Sequence, residues 1–158
     1  MGIGYVVIAL SFVGICHGLD MSRLQPYNFT AEIMFIVEDL DQDGIMTVAE
    51  IDTVFAQYDT NGDGKESRHE YTAFICAADP ALYQISHYLY DAYDVNGDHK
   101  LDLVDYEGFH NNMDSNNDGL LNMEEFVAYW VALLTSIESV GNHQHGQSHE
   151  HGAPACHT

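Results

Sequence analysis

The sequence predicts an all-α fold of two tandem copies of a unit of three short helices, with the middle helix of each copy shared by two acidic loops. Three observations predict it. Shifting the chain by 55 positions lays Asp39 on Asp94, Asp59 on Asp114, Val54 on Phe109, Tyr71 on Phe126 and Phe74 on Tyr129, so the chain is duplicated. Sixteen of its 25 acidic residues fall in four twelve-residue windows that begin at Asp39, Asp59, Asp94 and Asp114. Only eight residues separate the two windows of a copy, Ile51 to Tyr58 in one and Tyr106 to Met113 in the other. Eight residues rise about 12 Å as a helix, too little for two helices and a turn, so one helix must serve both loops.

The elements follow in chain order. Residues 1–18 read as a signal peptide. Tyr5 to Ile15 is apolar but shorter than the roughly 20 residues of a membrane span, and small Cys16 and Gly18 occupy the −3 and −1 positions of a cut before Leu19. The mature domain is then 19–140, secreted and extracellular, with no later run apolar enough to cross a bilayer. Copy one runs from about residue 25 to 78 and copy two from about 79 to 140. Asp79-Pro80 marks the join, because Asp caps a helix and Pro fits its first position. In the middle helix of copy one, Ile51, Val54, Phe55 and Tyr58 recur at helical spacing; Tyr106, Phe109 and Met113 repeat the stripe, with His110 in place of Phe55. Two loops at opposite ends of one helix cannot pair with each other. Loops are therefore expected to pair between copies, and the sequence leaves open which joins which. Residues 141–158 turn to His, Gly, Gln and Ser without apolar periodicity, which predicts a disordered tail.

A hard dication takes six to eight oxygens at about 2.3–2.6 Å, and a twelve-residue loop supplies them from positions 1, 3, 5, 7, 9 and 12. Position 7 offers its backbone carbonyl, position 12 a carboxylate, and position 6 needs a sharp turn that glycine takes without a Cβ clash. Loop one offers Asp39, Asp41, Asp43, Ile45, Thr47 and Glu50, with Gly44 at the turn. Loop two offers Asp59, Asn61, Asp63, Lys65, Ser67 and Glu70, with Gly64 at the turn. Loop four offers Asp114, Asn116, Asp118, Leu120, Asn122 and Glu125, with Gly119 at the turn. Loop three offers Asp94, Asn96, Asp98, Lys100, Asp102 and Asp105, and departs twice: His99 replaces the turn glycine and Asp105 the longer Glu. A shorter carboxylate reaches less far toward two-fold coordination, so loop three is ranked the weakest calcium site and leaves magnesium open. Position 8 carries apolar Met46, Leu101 and Leu121, but Glu66 in loop two, which is therefore expected to pair poorly.

These loops make the chain resemble the EF-hand calcium-binding superfamily over most of residues 30 to 135. The resemblance implies helix-loop-helix units and three to four calcium ions. The spacing departs from familiar EF-hand pairs, which leave about two dozen residues between loops. Acidic secreted EF-hand proteins of invertebrate mineralised tissues are broadly similar.

The remaining features weigh on partners. His143, His145, His149, His151 and His157 crowd the tail, and neutral imidazoles suit zinc or copper, though at no structural zinc spacing. Cleavage would leave Cys76 and Cys156, which an oxidising compartment can join. A net charge of −21, with four basic residues, excludes nucleic acid and anionic membrane as partners. No phosphate loop, nucleophile elbow or zinc-protease helix is present, so an enzyme is not expected. The function expected is an extracellular calcium buffer, carrier, or matrix- or mineral-associated protein, because extracellular sites near 10⁻⁴–10⁻³ M stay filled. The alternative is a calcium-triggered protein-binding module. Its Met-rich groove finds little support in Met21, Met34, Met46, Met113 and Met123, two of which lie within loops.

Overall fold

The computed structural model describes residues 21–140. The expected leader and His-rich tail, including His143, His145, His149 and His151, lie outside the described residues. Among the described residues the fold is all-α, with six α-helices: α1 (Tyr27–Glu38), α2 (Val48–Phe55), α3 (Arg68–Ala78), α4 (Tyr83–Tyr93), α5 (Leu103–Met113) and α6 (Met123–Val140). Four two-residue strands lie in the acidic loops: β1 (Ile45–Met46), β2 (Glu66–Ser67), β3 (Lys100–Leu101) and β4 (Leu121–Asn122). No described helix is long and apolar enough to cross a membrane.

Local sequence explains the helix boundaries. Asp79 caps a short 3-10 turn, Pro80–Leu82, by accepting from the Ala81 N–H, and that turn runs into α4. Thr47, Ser67 and Asp102 open α2, α3 and α5 with capping boxes whose returning carboxylates are Glu50, Glu70 and Asp105. The two middle helices differ. α5 reaches Met113 without a break, whereas α2 stops at Phe55 and a turn closed by Tyr58 N–H to Phe55 O leads into loop two.

Pairing is nested. α1 packs on α6, α2 on α5 and α3 on α4. The strands obey the same order: β1 joins β4, with Met46 opposite Leu121, and β2 joins β3, with Glu66 opposite Leu101. Loops thus pair between copies, first with fourth and second with third. The 55-residue shift maps α1·α6 onto α4·α3 and the outer ladder onto the inner one, so the copies exchange places about α2·α5.

The core collects the inward stripe of every helix. Phe55, Tyr93, Tyr106 and Phe109 are buried at its middle, with Phe55 and Tyr106 rings stacked at 4.9 Å and Tyr93 edge-on to Phe55 at 4.9 Å. Phe35, Phe126 and Trp130 close the α1·α6 end. Burial at about 25 cal/mol per Å² of apolar surface makes this aromatic middle the main hydrophobic stabilisation.

Candidate metal centre

In each loop the first acid folds the turn around itself. Asp39 accepts from Gly44 N–H at 2.9 Å, Asp59 from Gly64 at 2.8 Å, Asp94 from His99 at 3.1 Å and Asp114 from Gly119 at 2.8 Å. The fifth position accepts from the seventh in the same way: Asp43 from Ile45, Asp63 from Lys65, Asp98 from Lys100 and Asp118 from Leu120. These bonds fold each loop back on its first and fifth side chains. In loop one, carboxylate oxygens of Asp39, Asp41 and Asp43 lie within 4.8 Å of one another. In loops two, three and four the third position is Asn61, Asn96 or Asn116; Asn96 and Asn116 accept from Asp98 and Asp118, and Asn61 donates to Glu70.

The twelfth carboxylates close the loops. Glu50 bridges the N–H groups of Leu40 and Asp41 to that of Thr47. Glu70 bridges Asn61 and Thr60 to Ser67, and Glu125 bridges Asn116 and Ser115 to Asn122. Asp105, though shorter, spans Asn96 N–H at 3.1 Å and Asp102 N–H at 3.2 Å. Their protonation differs with their donors. Burial alone would raise Glu70, but hydrogen bonds from Ser67, Thr60 and Asn61 outweigh it and hold the carboxyl at about 2. Burial likewise opposes, and the donors of Thr47, Asp41 and Leu40 likewise lower, Glu50. For Asp105 burial wins over the two backbone donors and the carboxyl sits above its ordinary range. Loop three therefore holds its twelfth carboxylate as an anion less firmly than loop two.

His99 takes a positive φ of 66°, near the 86°, 78° and 81° of Gly44, Gly64 and Gly119. The turn is the same, at a strain that glycine avoids. Its Nδ1 stands 3.4 Å from Asp94 Oδ2.

The donor set fits a cation. Asp39 Oδ1 and Asp94 Oδ1 are buried yet receive no hydrogen bond among the described residues. A buried carboxylate oxygen without a donor is costly unless a positive charge meets it. The other first- and fifth-position oxygens accept only N–H bonds and keep lone pairs to give.

Loop two does pair, against expectation. Glu66 is 3% exposed in the ladder, and the Tyr106 hydroxyl donates to its carboxylate while Tyr90 donates to its carbonyl at 3.1 Å. Burial first, then nearby Asp59, pushes Glu66 up to about 8, which favours its neutral form in the ladder. Lys65 Nζ donates to Asp102 across the ladder at 2.7 Å. Position-by-position reading missed the Tyr106 partner, which lies 40 residues away. The capping boxes were visible as Thr47-x-x-Glu50 and Ser67-x-x-Glu70. Cys76 is disulfide-bonded, and its partner lies outside the described residues. His87 is a buried helix residue with its ring edge-on to Tyr83 at 4.9 Å.

Residues 51–75, from within α2 through loop two and into most of α3, match a family model described as EF hand. Comparison with curated proteins and with solved structures gave no match. The matched segment runs from the shared helix through one full loop, and that match supports an EF-hand calcium-binding superfamily for the chain.

Proposed function

We propose that the chain is a secreted calcium-binding protein that buffers or carries calcium outside the cell, or associates with matrix or mineral. The observation that carries it is the set of four loops closed alike by first and twelfth carboxylates, with buried Asp39 Oδ1 and Asp94 Oδ1 lacking donors. Asp39, Asp41, Asp43, Thr47 and Glu50 would hold the ion of loop one with the Ile45 carbonyl, and the corresponding residues would serve the other loops. Three to four ions are expected, with loop three the weakest. A bound cation would neutralise the carboxylates and cross-link each loop through its hard oxygen donors; no reaction is implied. The tail histidines would take zinc or copper separately. Calcium calorimetry on residues 19–158 tests this: three or four ions support it, and one or none sinks it. Zinc calorimetry before and after deleting 141–158 tests the tail, and unchanged zinc binding rules it out.

One observation favours the module reading as a second. Ile36, Leu40 and Leu120, on α1 and the outer loops, are exposed and apolar. A hydrophobic dye that brightened with calcium, and only with calcium, would move the balance toward a triggered partner site.

A further inference from the structure

We propose that Asn28 is an acceptor for an N-linked glycan. The inference rests on the secretion reading, because the donor is met in the secretory lumen. Asn28-Phe29-Thr30 is the single Asn-x-Ser/Thr triplet in the sequence, and x is not proline. Asn28 lies in the first turn of α1 and is exposed. Its side-chain amide makes no hydrogen bond among the described residues. Nothing in the fold therefore has to move to admit a bulky substituent there. Thr30 is half-buried and its hydroxyl donates to Leu24 O at 2.9 Å, so the hydroxyl residue of the triplet is kept by the fold as well.

The surroundings suit a polar, bulky cover. Phe29 is 57% exposed and Ile36, two turns on, is 56% exposed. The 55-residue shift places Gln84 and Asp91 at the same points of α4, where water is met by polar side chains. At these two points α1 is apolar, and a carbohydrate rooted at Asn28 would stand beside them and keep that face in solution. The corresponding position in copy two is Tyr83, so the modification would mark one copy only.

The step is a transfer from a polyprenyl-pyrophosphate-linked oligosaccharide. A bond forms between Asn28 Nδ2 and the anomeric carbon, the bond from that carbon to the pyrophosphate oxygen breaks, and the amide gives up one proton. Polyprenyl pyrophosphate leaves with the bonding pair, and nothing is oxidised or reduced.

The test is expression of the full chain in cultured animal cells as wild type, Asn28→Gln and Thr30→Ser. Intact mass is read on medium and lysate, and glycan is released by peptide-N-glycosidase in ¹⁸O water. Expected is one glycan on exported wild type and Thr30→Ser, with Asn28 converted to ¹⁸O-labelled Asp, and a bare polypeptide mass for exported Asn28→Gln. If that variant were poorly exported, the ¹⁸O label on wild type would still decide. Wild type exported with a bare Asn28 overturns the inference and leaves the secretion reading standing. Wild type retained in the cytosol without glycan overturns both.

Discussion

The outer loop pair, one with four, and the inner pair, two with three, are the same structure built in two chemistries. The repeat makes them superimposable position by position. Where the outer pair has Leu121, Ile51, Phe35, Met123 and Ile36, the inner has Glu66, Tyr106, Tyr90, Arg68 and Asp91. The inner set is wired: Tyr106 to Glu66, Tyr90 to the Glu66 carbonyl, Arg68 to Asp91 and over the Tyr90 ring at 4.2 Å. Along the ladder, Lys65 and Asp102 stand where Leu120 and Thr47 stand outside. The exchange runs once in the other direction, where His110 replaces Phe55 and its Nε2 meets the Met46 carbonyl at 3.2 Å. A polar residue at a buried ladder position is tolerated because its neighbours changed with it; one of these changes alone would leave a buried group without a partner.

The largest expected effect separates the pairs outright. Excess chelator leaves three or more carboxylates crowded in several loops, with four basic residues in the whole chain to offset them. Metal that binds only the folded form stabilises it by mass action, so its removal should expand the chain. The inner pair should open first, since its ladder holds a buried carboxyl where the outer ladder holds Met46 against Leu121. Scattering with and without calcium, joined to amide exchange at the two ladders, checks this. An unchanged radius, or an outer ladder that exchanges first, would break the comparison.

Next in size are the twelfth positions. Glu50→Gln, Glu70→Gln and Glu125→Gln should each remove one calcium from calorimetric counts, a loss of affinity of about tenfold or more, roughly 1.4 kcal/mol. Asp105→Asn should cost less, because that carboxylate is already held less firmly as an anion. A larger loss at Asp105 would reverse the ranking of the loops.

The third test converts one chemistry into the other. Glu66→Leu strands the Tyr106 hydroxyl, at about 1–3 kcal/mol of apo stability by denaturant titration. Adding Tyr106→Phe, which removes the hydroxyl and keeps the ring on Phe55, should recover most of it. The wild-type acid also sets a pH dependence. Glu66 is raised to about 8 when folded, so its stabilisation is full below the ordinary carboxylate range and is lost as pH rises through about 8. Glu70 runs the other way: at about 2 when folded, it stabilises above the ordinary range and the effect fades as pH falls toward 2. Glu66→Gln should flatten the apo protein's decline between pH 5 and 8, and a slope identical to wild type would assign that decline elsewhere.

The smallest effect is at the rim. Lys65→Met removes a cation from Asp102, a ligand position of loop three, and should raise calcium affinity there severalfold while leaving loops one and four alone. No change at loop three would show that the exposed pair is silent, as many are.

Much of this was legible in the residues. Regular Asp/Asn/Gly spacing marked all four loops, eight-residue gaps forced the shared helices, and Asp79-Pro80 marked the turn into α4. Those signals are local, and local chemistry fixes caps and turns. The choice of ladder partners was not legible, because nothing in Met46 or Glu66 states which distant strand it will meet. Glu66 was misjudged for the same reason: its tolerance depends on Tyr106 and Tyr90, neighbours only after folding. The early stop of α2 at Phe55 has no counterpart in α5 that sequence spacing distinguishes.

The nested order also says how such a molecule can be assembled. Glu66 and Leu101 are 35 positions apart and Met46 and Leu121 75, so closing the outer ladder first costs about 0.7 kcal/mol more in chain entropy. Loop four therefore has to be synthesised before loop one can find its mate. A ribosome-bound copy one carries two strand edges and no mate for either. The same half-molecule, meeting a twin of itself, could satisfy both edges by simple two-fold exchange. In that light the single chain has the pairing pattern of a dimer whose halves are joined end to end, with the Asp79-Pro80 corner between them.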